Sequence, residues 1–226
     1  MITVVKAAPP QGFTAMTTTA DDGVSFSKKG DNAENYAEFK EQYGIDKLVT
    51  LDQQHGVEII KVTDENYLSV NNAKADGLFT AESGIALGIL TADCYPVLIA
   101  GAHSAAALHC GWRSAVGGII EKVLPLFESE RDLPQYAYIG AGISKVAYIV
   151  QDDFIDEISQ VFKPYPYLSK IGDEWHFDLA QLISNRLNLI GVKDIQMANI
   201  CTYASQRFFS YRREPECGRM LSVIYR

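Results

Sequence analysis

The fold of this chain is decided by residues 85–112, which read IALGILTADCYPVLIAGAHSAAALHCGW. The stretch carries a single formally charged side chain, Asp93, and is apolar over most of its length. A transmembrane helix needs about 20 predominantly apolar residues in succession, whereas Pro96, Gly101 and two histidines interrupt this stretch at short intervals. The pattern instead predicts consecutive strands that lack polar alternation because both of their faces are buried. The predicted strands are Ile85–Thr91, Pro96–Ala100 and Ala105–His109.

The overall composition indicates a folded, acidic protein. The 226 residues are 47% hydrophobic and 11% aromatic, which suffices for a sizeable core and excludes a disordered chain. Lys and Arg number 20 against 28 Asp and Glu, and a net charge of −8 argues against nucleic acid or a membrane surface as a partner. Four cysteines are too few for a disulfide scaffold. Residues 1–12 show neither a secretory signal nor a lipidation motif, so we expect a cytoplasmic protein, with no obligate protein partner evident.

The rest of the chain mixes helices and strands, with no repeat or linker that would divide it. Capping residues and apolar spacing predict helices over Asn32–Gly44, Ser114–Glu128, Asp152–Phe162 and Phe177–Ile190. Short strands joined by polar turns are predicted over Met1–Ser27, and further strands over Lys47–Asp52, Glu58–Thr63, Tyr136–Ile139, Ala147–Val150, Ile195–Asn199, Phe208–Arg212 and Met220–Tyr225. Many neighbouring strands have short connections that suit antiparallel pairing. We therefore predict a mixed α/β or α+β fold in a single domain spanning residues 1–226, with Ser114 capping its helix and Pro125 shortening or kinking it.

Three polar residues have unusually apolar or glycine-bounded surroundings: His55 in DQQHG, Cys94 in TADC and His109 in LHCGWR. Cys94 and His109 lie at the predicted ends of buried strands, and His55 lies beside Gly56 at a strand edge. If these strands are neighbours, two imidazoles and one thiol converge at one rim of a sheet. Two His and one Cys without an obvious fourth ligand fit a catalytic zinc site with an open position for water or substrate.

The residues alone leave structural alternatives open. The common nucleotide-binding, serine-hydrolase and metalloprotease motifs are absent from the sequence. Cys94 can be a core residue, because free cysteine is among the most buried residue types. Cys110 follows His109 and should point to the opposite face of its strand, which indicates packing. The remaining cysteines and histidines are assigned to packing or to polar loops: Cys201, Cys217, His103 and His176.

Local basic residues are informative in an acidic chain. Arg113, directly before the predicted Ser114 helix, can form an anion site suited to phosphate or carboxylate. It can equally be a surface arginine stacked on Trp112. The C-terminal segment FFSYRREPECGR (208–219) concentrates further arginines, Arg212 and Arg213 among them. A solvated strand edge is the alternative explanation for that cluster.

These motifs together resemble the YfiH-type proteins, a family first described as laccase-domain or polyphenol oxidoreductase-like and later as purine nucleoside phosphorylase. The resemblance rests on QQHG (53–56), ADG (75–77), TADCYPVLI (91–99), LHCGWRS (108–114), CT (201–202) and FFSYRR…CGR (208–219). Two departures stand out: the usual HAGWRG appears as HCGWRS, and the usual GPxIGP turn appears as GAGISK (140–145). The second departure lies near the expected rim of the site and concerns substrate preference more than the metal.

The resemblance implies a fold, a metal and a reaction. The fold is two mixed sheets packed face to face with helices outside, and the ligands are His55, Cys94 and His109, with zinc the usual occupant and copper an alternative. The reaction is phosphorolysis of adenosine, inosine, guanosine and methylthioadenosine, with adenosine deamination at the same site. The remaining residues have possible roles: Arg113 with Arg212 or Arg213 holding phosphate, Asp93 orienting water or a sugar hydroxyl or capping a turn, and Gln53 binding substrate or supporting His55.

Three alternative activities remain. A copper polyphenol oxidase is possible by ligand type, but four histidines cannot build a centre of several copper ions. A metal-free cysteine hydrolase would use Cys94 as nucleophile and His109 as base. Editing of wrongly built peptidoglycan precursors, an amide hydrolysis also associated with the family, would use the same metal site. A non-enzymatic binding module fits an open three-ligand site least well.

Overall fold

A computed structural model describes residues 1–27 and 32–226 of the chain. The described residues form six helices and fourteen strands. The helices are α1 (Ala33–Tyr43), α2 (Tyr67–Val70), α3 (Trp112–Val116), α4 (Ile119–Ser129), α5 (Asp152–Val161) and α6 (Leu179–Leu189). The strands are β1 (Val4–Lys6), β2 (Thr14–Thr18), β3 (Lys47–Val49), β4 (Ile59–Lys61), β5 (Gly77–Thr80), β6 (Ile85–Thr91), β7 (Tyr95–Ala100), β8 (Ala105–Cys110), β9 (Tyr136–Ile139), β10 (Ile149–Val150), β11 (Leu168–Ile171), β12 (Glu174–Phe177), β13 (Asp194–Met197) and β14 (Met220–Tyr225).

Two large mixed sheets form the centre of the molecule. The first has five strands in the order β1-β2-β14-β6-β3, in which only the β3–β6 pair is parallel. The second has six strands in the order β13-β9-β7-β8-β5-β4, antiparallel in the middle and parallel at both edges. A third, smaller sheet is antiparallel and has the strand order β10-β12-β11.

The core is divided into layers by the two large sheets. Apolar side chains of β3 and β6 pack against those of β5, β7, β8 and β9, so the sheets lie face to face. The opposite face of the six-stranded sheet packs on α3, α4 and α6, and the opposite face of the five-stranded sheet packs on α1. The predicted fold class of two mixed sheets with helices outside is confirmed. Within the described residues, no helix is long and apolar enough to cross a membrane.

The helix predicted over Ser114–Glu128 is wrong, because the structure divides it into α3 and α4. Gly117 and Gly118 separate the two helices, and Gly118 takes a left-handed conformation with φ of 89°, which breaks the helical hydrogen bonding. Ser114 is therefore not an N-cap: it lies inside α3, fully buried, with its hydroxyl unpartnered among the described residues. Pro125 is accommodated inside α4, which continues to Ser129.

The strand predicted over Phe208–Arg212 is also wrong, because residues 208–210 are irregular and residues 211–213 form a turn. Side-chain hydrogen bonds hold this segment: the Asp93 carboxylate accepts the Arg212 backbone N–H at 2.7 Å, and the Arg213 guanidinium donates to the Phe208 carbonyl at 2.6 Å. Strands β5, β11 and β12 were not predicted from the sequence pattern. His176, assigned above to a polar loop, is a buried residue of β12.

Candidate metal centre

The chain crosses between the two large sheets at two places that each carry a candidate ligand. The connection from β3 to β4 holds His55, and the tight turn from β6 to β7 holds Cys94. His109 lies near the end of β8, opposite Pro96 in the register with β7. One ligand atom from each of the three side chains lies within 4.8 Å of the others, the only such group found in the described part of the chain. The three candidate ligands, which are far apart in the sequence, thus meet where strands end.

The alternation of side chains along β8 explains why only one of its two adjacent polar residues reaches the centre. Ala105 and Ala107 face the layer between the sheets, and His109 continues that series. Leu108 and Cys110 face the helices on the other side, where the Cys110 thiol is fully buried in the apolar core. The prediction that Cys110 packs on the opposite face is confirmed.

The backbone is strained at the two turns that present the ligands. His55 has φ of 59° and Asp93, next to Cys94, has φ of 100°. Non-glycine residues adopt such positive φ values rarely and at a cost of order 1–3 kcal/mol, and they cluster at functional sites. Surrounding hydrogen bonds hold both turns in this conformation.

Asp76 holds the His55 turn and orients His109, and it was not singled out in the sequence beyond the ADG motif. Its carboxylate accepts the backbone N–H groups of Gln54 at 3.1 Å, His55 at 2.8 Å and Gly56 at 2.7 Å. The same carboxylate lies 2.8 Å from Nδ1 of His109. Because Nδ1 is engaged there, Nε2 of His109 is the nitrogen left to bind a metal, an arrangement common around histidine ligands.

The electrostatics of the three groups favour a thiolate beside two imidazoles. Burial opposes ionisation of Cys94, but the neighbouring His109 and His55 outweigh burial and lower the pKa of the thiol. Burial also opposes protonation of His109, but Cys94 and Asp76 outweigh it and raise the pKa of the imidazole. A thiolate is the form of cysteine that binds metals.

The residues present fit a small transition-metal ion. Thiolate and imidazole donors are those that zinc and copper prefer. A Cβ atom on Gly111 would lie 3.1 Å from Cys94 Sγ and 3.1 Å from His55 Cδ2, so a side chain at this position would crowd both ligands. The His55 and His109 rings approach edge to face, with centroids 4.8 Å apart. The group is thus able to bind one metal ion, with three protein ligands and an open side.

The open side faces a cavity of about 990 Å³, at the upper end of the usual range for small-molecule sites. The cavity is lined by all three ligands and by several other predicted site residues: Gln53, Asp93, Arg113 and Arg212. Ile143 of the GAGISK segment also lines it, and its carbonyl accepts the Tyr95 hydroxyl at 2.9 Å. The segment that departs from the family pattern therefore contributes to the wall of the site.

Gln53 is occupied by backbone contacts. Its side-chain amide donates to the Leu90 carbonyl at 2.7 Å and accepts the Leu90 N–H at 2.8 Å. This double contact attaches the loop before His55 to the end of β6. The support for His55 expected of Gln53 comes instead from Asp76, which binds the His55 N–H.

Asp93 joins three segments of the chain at the cavity wall. Its carboxylate accepts the Thr202 hydroxyl at 2.6 Å and the Arg212 N–H at 2.7 Å, and its carbonyl accepts the Ile143 N–H at 2.8 Å. Both carboxylate oxygens thus already have a protein donor. The geometry makes Asp93 a residue that positions the Cys94 turn and the loop that carries Arg212.

The three predicted phosphate-binding arginines have different surroundings. Arg113 is exposed, lies over the Trp112 ring at 4.4 Å and pairs with Glu157 at 2.7 Å. The Arg212 guanidinium donates one hydrogen bond to the Ile149 carbonyl at 2.9 Å. The Arg213 guanidinium donates to four backbone carbonyls, those of Thr202, Tyr203, Ser205 and Phe208, and Arg213 is not part of the cavity lining. Arg213 thus holds the C-terminal turns together, in place of the phosphate contact expected from the sequence.

The comparisons with known proteins agree with the motifs. Residues 20–226 match a family model described as multi-copper polyphenol oxidoreductase laccase. The purine nucleoside phosphorylase YfiH of Escherichia coli (strain K12) is 32% identical over 237 residues, covering 96% of this chain and 95% of the relative. The purine nucleoside phosphorylase of Haemophilus influenzae is 30% identical over 245 residues, with the same coverage of 96% and 95%.

Solved structures have the same fold. YlmD from Geobacillus stearothermophilus superposes with a TM-score of 0.84 at 26% identity, covering 97% of this chain and 94% of that chain. The Bacillus licheniformis hypothetical protein YfiH, at 23% identity, superposes with a TM-score of 0.87 over 98% of this chain and 96% of that chain. The chain therefore belongs to the YfiH family of laccase-domain proteins, whose named relatives are enzymes.

Proposed function

We propose that this chain is a zinc-dependent purine nucleoside phosphorylase that acts on adenosine, inosine, guanosine and methylthioadenosine and also deaminates adenosine. The observation that carries the proposal is the His–Cys–His group opening onto a cavity that three arginines also line, Arg113, Arg212 and Arg219. The names of the relatives support the same reaction class. The description of the matching family model names a multi-copper laccase, but the described residues assemble one group of three donors, which suits one metal ion and not several.

In the proposed reaction, C1′ of the ribose passes from a purine nitrogen to a phosphate oxygen, leaving free base and a sugar 1-phosphate. His55, Cys94 and His109 would hold the metal, which supplies Lewis-acid activation of water or of a substrate oxygen. Arg113 and Arg212, on the cavity wall, neutralise the incoming phosphate and orient its attacking oxygen. Asp76 keeps His109 in its metal-binding tautomer.

The first prediction concerns phosphate dependence. With inosine as substrate, we expect release of hypoxanthine to require inorganic phosphate and to yield one sugar 1-phosphate per base, because phosphate is the nucleophile. Base release is followed chromatographically with and without phosphate, and ammonia release from adenosine is followed separately. Equal rates of base release with and without phosphate would refute phosphorolysis. If adenosine yields adenine but no ammonia, only the proposed deaminase activity is refuted.

One observation favours a second candidate function, a metal-free cysteine hydrolase. Cys94, His109 and Asp76 contact one another in the order found in nucleophile–base–carboxylate triads. The Asp76 carboxylate is hydrogen-bonded to Nδ1 of the imidazole. Such an enzyme would cleave an amide: the thiolate attacks the carbonyl carbon, His109 protonates the departing amine, and water then hydrolyses the thioester to release the acid and the free thiol.

Metal removal separates these two candidates. We expect dialysis against a chelator to abolish base release, and about one equivalent of Zn²⁺ per chain to restore it. Metal content is measured by elemental analysis before and after dialysis, and copper is added as a parallel test of the oxidase alternative. Amide cleavage that persists in metal-free protein and is destroyed by thiol alkylation would favour the cysteine hydrolase.

A further inference from the structure

Three arginines that line the cavity are stacked on aromatic rings. Arg219 lies over Tyr211, whereas the rings under Arg113 and Arg212 are joined through a third ring. Arg113 Cζ lies 4.4 Å from the centroid of the Trp112 ring, and Arg212 Cζ lies 5.5 Å from that of Tyr148. Phe154 contacts both rings, with centroid distances of 5.1 Å to Trp112 and 6.1 Å to Tyr148. Trp112, Tyr148 and both arginines line the same cavity as the metal ligands. The two positive charges are therefore carried by one connected aromatic platform.

Tyr148 is fixed in place except at its hydroxyl. Its backbone N–H donates to the Ser144 carbonyl at 2.9 Å, its carbonyl accepts the Phe177 N–H at 3.1 Å, and its ring meets that of Phe177 edge to face at 5.9 Å. The hydroxyl makes no hydrogen bond to any other described residue. A fully buried oxygen without a partner would belong with the five such atoms found in the described residues, and the Tyr148 oxygen is not one of them. The phenolic oxygen is therefore not sealed in the core, and Tyr148 is one of the residues that line the cavity.

The groups that act electrostatically on this hydroxyl belong to the site. They are Cys94, Arg212, Arg113 and Asp93. Burial, and after it Cys94, raises the pKa of Tyr148, so the hydroxyl keeps its proton and is available as a donor. The Arg212 guanidinium has no acidic partner among the described residues, and Arg113 is paired only with an exposed carboxylate, that of Glu157.

We propose that the Tyr148 hydroxyl is a phosphate-binding donor that forms one oxyanion subsite with Arg113 and Arg212. The proposal rests on the phosphorolytic function proposed above, because that reaction requires a phosphate beside the metal group. One neutral donor and two guanidinium groups carried by connected aromatic rings suit a doubly charged, multi-oxygen anion, since hydrogen bonds to ionised acceptors are about twice as strong as neutral ones.

The test compares Tyr148→Phe with wild-type protein and with Tyr165→Phe, which removes a hydroxyl from a tyrosine 62% exposed and outside the cavity lining. Binding of inorganic phosphate to the full-length protein is measured by calorimetry, and KM values for phosphate and inosine are measured in parallel. We expect Tyr148→Phe to weaken phosphate binding roughly 10- to 100-fold, the loss typical of a hydrogen bond to a charged group. The KM for inosine, the metal content and the thermal stability should not change, because the ring and its packing remain.

Unchanged phosphate affinity in Tyr148→Phe would overturn the assignment, and so would an equal loss of affinity in Tyr165→Phe. A loss of inosine binding with phosphate binding intact would overturn it as well, by placing Tyr148 on the nucleoside. If Tyr148→Phe weakens phosphate binding while wild-type protein releases no base from nucleosides, the subsite stands and the proposed phosphorylase function fails.

Discussion

Replacing His109 with alanine is expected to abolish turnover and to weaken metal binding by orders of magnitude. The imidazole is 3% exposed, belongs to the three-donor group and has its Nδ1 fixed by Asp76, so no other side chain can take its place. A four-ligand structural zinc site binds with about 10–16 kcal/mol, so one ligand accounts for roughly 2.5–4 kcal/mol and its loss weakens affinity roughly 100- to 1,000-fold. Zinc content per chain and base release from inosine are the two measurements.

His103→Ala is the matched control for this prediction. His103 has a 42% exposed side chain near Asp132 and takes no part in the three-donor group. We expect that variant to keep zinc content and activity. A metal-free His109→Ala protein that retains activity would refute metal dependence, and one that retains a full equivalent of zinc would refute the ligand assignment.

The fold could be predicted where the sequence pattern reflects a local property, namely the burial of a strand or the alternation of its side chains. Residues 85–110 have the apolar pattern of strands buried on both faces. Because side chains alternate along β8, His109 lies in the three-donor group and Cys110 lies in the core. The same local reasoning failed after Ser114, because the break at Gly117 and Gly118 depends on backbone conformation more than on apolar spacing.

The arrangement of the site depends on contacts between distant segments, which spacing cannot reveal. Phe208–Arg212 has the composition of a strand, but the carboxylate of Asp93, more than a hundred residues earlier in the chain, accepts the Arg212 N–H and holds the end of the segment in a turn. The sequence indicated that Arg213 binds substrate, whereas in the fold its guanidinium donates hydrogen bonds to backbone carbonyls. The three candidate ligands could be singled out by residue type, whereas their supporting residues required the structure.

Asp76→Asn is expected to weaken metal binding and activity by roughly 10- to 100-fold while leaving the chain folded, the range seen when the partner of a metal-binding histidine is changed. The carboxylate is 1% exposed and accepts from three backbone N–H groups and His109. Asparagine keeps the size but replaces one acceptor oxygen with a donor NH₂ group. That change removes the charge that favours Nδ1–H on His109 and disturbs the turn that presents His55. Zinc affinity is measured by competition with a chromogenic chelator, alongside inosine turnover.

Asp132→Asn separates this effect from a general loss of stability. Asp132 is 5% exposed and accepts four backbone N–H groups, one more than Asp76, but it lies outside the cavity lining; the donors are Ala102, His103, Ser104 and Leu133. Both variants lose a buried carboxylate that backbone donors satisfy, so both should unfold at lower temperature than the wild type. Only Asp76→Asn should lose zinc affinity, because only Asp76 orients a ligand. Equal zinc affinity in the two variants would show that Asp76 serves the loop alone, and that His109 binds the metal without a fixed tautomer.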